Sequence, residues 1–205
     1  MHSYVALVPV KPPAFGKSRM VGLTDAERRA LAAAFALDTV SACLASASIA
    51  EVLVVTDDAS FSVELGELGA VTIPDGVAMD LNGTLRQSAA EARRRWPELV
   101  PVAITADLPA VRGDDLDDAL RSIAPGQAAY VADADGLGTT LYTAAYDAFD
   151  PRFGPGSALA HGATGARAIT AALPRLRRDV DDLVDLADAL ALGVGPRTAE
   201  RAASR

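Results

Sequence analysis

"VAITADLPAV" (residues 102–111) is an apolar run that stops on a carboxylate, Asp107, with Leu108 and Pro109 directly behind it. A short apolar, β-branched run of this kind reads as a buried strand, here "VPVAIT" over 100–105. Pro109 then turns the chain away. Three more runs of the same type lie upstream: "YVALVPV" (4–10), "EVLVVT" (51–56) and "AVTIP" (70–74). Helical patterns separate them. Thr24 opens the first with a capping box, "TDAE", in which Glu27 stands three residues after the cap. Further helices are expected near 58–68, over 82–96 and over 113–123, the last with an acidic start that suits the helix dipole. Strands alternating with helices predict an α/β fold, a mostly parallel Rossmann-like sheet flanked by helices, in one domain spanning 1–205. Ligands of such sheets bind beyond the carboxyl ends of the strands. The loops after Val10, after Thr56 and at Asp107 meet there.

The second half of the chain changes character. "AAYVADADGLGTTLYTAAY" suggests two strands around a glycine-rich turn. "DPRFGPGSALAHGATGA" reads as an irregular segment and a short helix, and "RLRRDVDDLVDLADALAL" as a strand that ends in acids and opens a helix. In the tail "GVGPRTAERAASR", Pro196 marks the start of a last short helix.

The 205 residues, 50% of them hydrophobic, suffice for one sizeable core. A formal charge of −8 argues against non-specific nucleic-acid binding, and implies that cations mediate any meeting with a polyanion. Cys43, the single cysteine, sits in an alanine-rich helical pattern and reads as a core residue, which suits a reducing cytosol. The N-terminus runs straight into strand pattern without a basic signal-peptide start, and no apolar stretch approaches the ~20 residues that span a bilayer. A cytoplasmic protein is expected.

Three constellations can carry chemistry. The loop "VKPPAFGKSRM" (10–20) gathers Lys11, Lys17 and Arg19, which suits phosphates, although it matches neither the P-loop nor the G-x-G-x-x-G pattern. Its alternative is a solvated surface loop. The second is acidic: Asp107 with Asp179 and Asp181. In extended chain the D-x-D pair turns both acids to one face, where oxygen ligands suit Mg²⁺; helix capping is the alternative. Asp182 reads as the cap, with Asp185 and Asp188 solvated. The third combines "GLGTT" with "RFGPGSALAH": Gly138, Thr139, Gly154 and Ser157, with Ser157 at a helix start whose N–H groups suit an anion and Arg152 as an added cation. Two ordinary turns are the alternative. His161 reads as a packing or surface histidine, and Arg93, Arg94 and Arg95 as a solvated face.

The ordered set "VPVKPPAFGKSRM", "ADLPAV", "VADADGLGTT", "DPRFGPGSALAH", "RDVDDLVDL" and "LGVGPRTA" resembles the guanylyltransferases of coenzyme F420 biosynthesis, relatives of the molybdenum-cofactor guanylyltransferases. The resemblance spans nearly the whole chain. It implies a nucleotidyltransferase acting on GTP, with Mg²⁺ held by Asp107, Asp179 and Asp181. It also implies that Thr139, Gly154 and Ser157 bind a phosphorylated three-carbon acid. Lys11, Lys17 and Arg19 would lie along the triphosphate, Lys17 and Arg19 favouring the departing pyrophosphate, with Asn82 near the base. The helix after the D-x-D usually follows Thr-Pro in this family; here it follows Asp182-Leu183, which changes the cap and not the ligands. Actinobacterial members are associated with phosphoenolpyruvate, and the Ala- and Arg-rich composition fits such an origin, so phosphoenolpyruvate is the expected acceptor and 2-phospho-L-lactate the alternative. Rival readings are a molybdopterin or sugar-phosphate nucleotidyltransferase and a non-catalytic nucleotide-binding module.

Overall fold

The computed structural model describes residues 3–10, 20–77 and 80–204. Seven strands form one sheet in the order β3-β2-β1-β4-β6-β5-β7. They are β1 (Tyr4–Pro9), β2 (Ile49–Val55), β3 (Val71–Ile73), β4 (Val100–Ile104), β5 (Ala129–Ala132), β6 (Thr139–Thr143) and β7 (Arg167–Ala168). Strands β1 to β4 run parallel, as the alternation predicts, and β6 alone runs antiparallel to both neighbours, β4 and β5.

The helices connecting these strands follow their caps. Helix α1 (Asp25–Ala45) carries the predicted box: Glu27 N–H donates to the Thr24 hydroxyl, and the Thr24 N–H donates to the Glu27 carboxylate. Asp58 caps α2 (Ala59–Leu68) by accepting from Phe61 N–H at 3.0 Å. Helix α3 (Leu81–Arg95) buries Thr84, Leu85, Ser88, Ala89 and Ala92, a stripe at helical spacing, and exposes its arginines, which pair with Glu91 and Asp147. Helix α4 is Gly113–Arg121, α5 is Ser157–Ala163, α6 is Pro174–Arg177, α7 is Leu183–Leu192 and α8 is Pro196–Ala203. Cys43 is fully buried, as expected, and burial pushes its thiol up to about 12.

One expectation fails in the segment that begins at Arg175. The segment before the D-x-D does not enter it as a strand. Pro174 starts a helical turn, α6, and the Arg177 guanidinium donates to the carbonyls of Ala132 and Ile169, taking backbone acceptors that a strand would have paired. The sheet edge is covered instead by the two residues of β7, parallel to β5.

The core lies on both faces of the sheet. One face packs Val102, Ile104 and Leu141 with α1 and α4; the other packs Ala103 and Tyr142 with Leu85 and Ala89 of α3. A third cluster joins Leu31 and Phe35 of α1 to Ala110, Val180 and Leu186. Helix α8 is fastened to α1 from a distance. The buried Asp38 carboxylate accepts from the N–H groups of Arg197 (3.3 Å) and Thr198 (2.8 Å), doing for α8 what a local cap normally does. Asp38 lies so close to Gly195 that a β-carbon there would run into its carboxyl group. "LGVGPRTA" therefore has a packing reason for its second glycine.

Gly195→Ala is expected to force Asp38 off its two amides and to cost roughly 1–3 kcal/mol, a fall in Tm of several degrees by thermal circular dichroism. An unchanged Tm would show that Asp38 does not depend on that space.

Candidate active site

The loop carrying Asp107 is strapped on three sides. Its carbonyl accepts from Val180 N–H at 3.0 Å, Leu108 N–H donates to the Thr39 hydroxyl at 3.1 Å, and the Pro109 carbonyl accepts from Gly195 N–H at 2.8 Å. The first strap matters most for chemistry. Val180 is wholly buried, while Asp179 and Asp181 on either side of it are partly exposed, the alternation expected of extended chain. Backbone contact thus sets Asp107 directly beside the D-x-D pair. Asp182 caps α7 as predicted: its carboxylate accepts from Val184 and Asp185 N–H. Asp185 is not simply solvated. It accepts from the N–H groups of Asp181 and Asp182 and pairs with Arg178 at 2.9 Å, so it shapes the turn that presents Asp181. The donor set is oxygen only, the kind that suits a hard divalent cation. Among the described residues no group of three or more His, Cys, Asp or Glu side chains is placed to hold a metal ion. Mg²⁺ characteristically takes one or two carboxylates and fills its remaining positions with water and substrate phosphate.

A second cluster forms at the same rim. Because β6 runs antiparallel to β4, its first residues lie at the carboxyl end of β4, where Thr105 N–H donates to the Thr140 carbonyl. An irregularity in the β5–β6 register between Val131 and Ala132 falls opposite Thr139, the usual way a strand re-aims one side chain. The Thr139 hydroxyl lies 3.0 Å from Nδ1 of His161, and Nε2 of His161 accepts from Arg152 N–H at 2.9 Å. The imidazole stacks on Tyr142, with centroids 4.4 Å apart, and meets Phe153 edge-on. Asn82 grips Phe153 from α3: its Oδ1 accepts from Phe153 N–H at 2.8 Å and its Nδ2 donates to the Phe153 carbonyl at 2.9 Å. Gly154 and Gly156 then adopt φ of +135° and +72°, conformations that L side chains rarely take. They deliver Ser157, 2% exposed, as the first residue of α5.

The structure therefore brings Thr139 to His161 of the helix that Gly154 and Ser157 open, and brings the Asp107 backbone to Val180, between Asp179 and Asp181. Asn82 reaches the rim with its amide committed to Phe153. Two of the helix-start amides expected to receive an anion are already used, Ser157 N–H by Gly154 and Ala158 N–H by Leu137. The Arg152 side chain pairs with Asp150. Lys11, Lys17 and Arg19 lie outside the described residues. The part that sequence reasoning missed is the junction made by His161: nothing in its local pattern shows that Tyr130, Tyr142 and Phe153 converge on it from three segments.

Comparison with known proteins shows the family and the fold. The chain matches the model of the family "Guanylyl transferase CofC like" over residues 4–199 and belongs to that family. It is 49% identical to the phosphoenolpyruvate guanylyltransferase of Thermomonospora curvata, covering 96% of this chain and 87% of that one. It is 46% identical to the phosphoenolpyruvate guanylyltransferase of Salinispora arenicola, covering 96% and 92%. Among solved structures, a putative nucleotide-diphospho-sugar transferase from Desulfovibrio desulfuricans G20 shares the fold with a TM-score of 0.65 at 18% identity, over 91% of this chain and 85% of that one. A 4-diphosphocytidyl-2C-methyl-D-erythritol synthase does so with a TM-score of 0.64 at 11% identity, over 94% and 99%.

Burial lowers the pKa of His161 to about 4, against about 6.5 in an unfolded chain. Between those values the unfolded state binds the extra proton, so stability rises with pH across that window. The contribution is complete above pH 6.5 and is lost as pH falls towards 4. Glu91 and Asp117, held down to about 2 by their hydrogen bonds, lose theirs at lower pH. Thermal melts should therefore show Tm declining from pH 6.5 to 5 in the parent and a flatter profile in His161→Asn. Identical slopes would remove His161 as the cause.

Proposed function

We propose that this protein transfers GMP from GTP to phosphoenolpyruvate, releasing pyrophosphate, as a cytoplasmic, Mg²⁺-dependent enzyme with no nucleic-acid partner. The observation that carries the reading is near-full-length identity of 49% to a protein named for that reaction. The hydrogen bond that seats Asp107 beside Asp179 and Asp181 supports it independently.

A phosphate oxygen of phosphoenolpyruvate attacks the α-phosphorus of GTP; a P–O–P diphosphate bond forms and the bond to the β-phosphate breaks. The attacking oxygen is already anionic at neutral pH, so no general base is required, and His161, buried and neutral, is not offered as one. Repulsion between two anions is the obstacle. Asp107, Asp179 and Asp181 would supply carboxylate oxygens for Mg²⁺, which when bound would neutralise phosphate charge. Thr139, Gly154 and Ser157 hold the three-carbon acid, and their fixed backbone supplies the orientation on which an in-line transfer depends. Lys11, Lys17 and Arg19 flank the triphosphate, with Asn82 placed towards the base through the Phe153 loop. 2-Phospho-L-lactate is the alternative acceptor, distinguished by a tetrahedral carbon where phosphoenolpyruvate is planar.

Pyrophosphate release from GTP is expected to require both Mg²⁺ and phosphoenolpyruvate, and to run slower with 2-phospho-L-lactate. Asp107→Asn should cut it by about 10²–10³-fold with an unchanged melt, because the backbone straps survive the substitution. Near-normal turnover in Asp107→Asn would take that carboxylate out of the reaction, and faster turnover on the lactate would reverse the acceptor.

A further inference from the structure

His161 has two polar neighbours that settle the state of its ring. Nε2 faces the Arg152 backbone N–H at 2.9 Å. An amide N–H only donates, so Nε2 carries the lone pair, and the neutral ring must hold its proton on Nδ1. Nδ1 faces the Thr139 hydroxyl oxygen at 3.0 Å. Nδ1–H therefore donates and the Thr139 oxygen accepts. A hydroxyl has one proton, and the Thr139 proton is left to point away from the ring.

We propose that His161 is a positioning residue that fixes the Thr139 hydroxyl as a hydrogen-bond donor to an anionic oxygen of the phospho-acid. The proposal deepens the acceptor site described above and rests on Thr139 touching that acid. The opposite tautomer fails twice: its Nε2–H would confront the Arg152 N–H, and its bare Nδ1 would take the Thr139 proton, turning an oxygen lone pair towards an anion. One buried ring, enclosed by Tyr130, Tyr142 and Phe153, thereby couples the shape of the 152–157 loop to the polarity of Thr139. The charged groups facing it, Asp150 and Arg152, pair with each other at the surface and oppose one another in their effect on the ring.

Two measurements test this. The chain has only two histidines, His2 and His161, so nitrogen-15 NMR of the imidazoles reads His161 directly in the free protein. A protonated Nδ1 and a bare Nε2 near neutral pH are expected; a proton on Nε2 overturns the proposal whatever the enzyme does. In steady-state assays with GTP and phosphoenolpyruvate, Thr139→Val should raise KM for the phospho-acid about 10- to 100-fold, the worth of one hydrogen bond to a charged group, and leave KM for GTP nearly unchanged. His161→Leu should do likewise, and the double variant should be within about twofold of Thr139→Val alone, because both changes remove one interaction. Multiplying losses, or equal changes in both KM values, would reduce His161 to scaffold and overturn the proposal, as would a silent Thr139→Val. Should His161→Leu not fold, His161→Asn keeps a donor where Nδ1 stands and is expected to retain most of the affinity; loss as deep as in Thr139→Val would count against the proposal. Absence of turnover by the parent protein would instead defeat the reading of its function, leaving the NMR result to judge His161.

Discussion

The hydrogen bond from Val180 N–H to the Asp107 carbonyl is the constraint on which the acidic centre depends. It holds the turn at Asp107 against Val180, with Asp179 and Asp181 on either side. Gathering acids in this way is unfavourable by itself, since like charges repel and an acidic chain offers little relief. The fold meets that cost with apolar burial and backbone pairing. Val180 enters a cluster with Phe35, Ala110 and Leu186, so the D-x-D is held from behind by its middle residue. Thr39 and Gly195 then fix the far side of the Asp107 turn. A strand that delivers an acid and stops at proline is a presentation device, and Pro109 contributes by freeing its carbonyl for Gly195.

The same economy governs the cations. Both lysines of the chain, Lys11 and Lys17, fall in the loop after β1. The described arginines are largely taken up by carboxylates of the scaffold, as in Arg175 with Asp115, Arg178 with Asp185 and Arg121 with Asp117. Arginine suits such planar, two-point pairing, whereas lysine brings a mobile point charge that can follow a phosphate.

What the sequence made legible was local or periodic. Thr24 with Glu27, Asp58, Asp182 and Pro196 all mark helix starts where the structure has them, because a cap needs only a few neighbouring residues. Strand ends shifted by a residue or two, since pairing partners set them. The D-x-D alternation was legible for the same local reason. The stretch from Arg175 to Arg178 was not, because the choice between strand and helical turn is made by Arg177 reaching carbonyls on two other segments. Asn82 holds the Phe153 backbone, and His161, expected as a packing or surface histidine, is buried among aromatics with polar partners on both ring nitrogens. Phe153 lies 71 residues from Asn82, and Thr139 lies 22 residues from His161 on another strand, so neither contact is local.

A buried neutral histidine is an unusual choice beside a site for anions, where a cation would bind more strongly. The choice follows from what the acceptor must do. A fixed positive charge would hold the phospho-acid as firmly in the ground state as at the moment of transfer, and uniform binding does not speed the chemical step. On the proposed function, a hydroxyl donor fixed in direction would orient the acid without adding charge to the acceptor side. Enclosing the imidazole among Tyr130, Tyr142 and Phe153 keeps it neutral, with burial the largest cause of its lowered pKa. The aromatic cage thus serves the chemistry by preventing a charge from appearing.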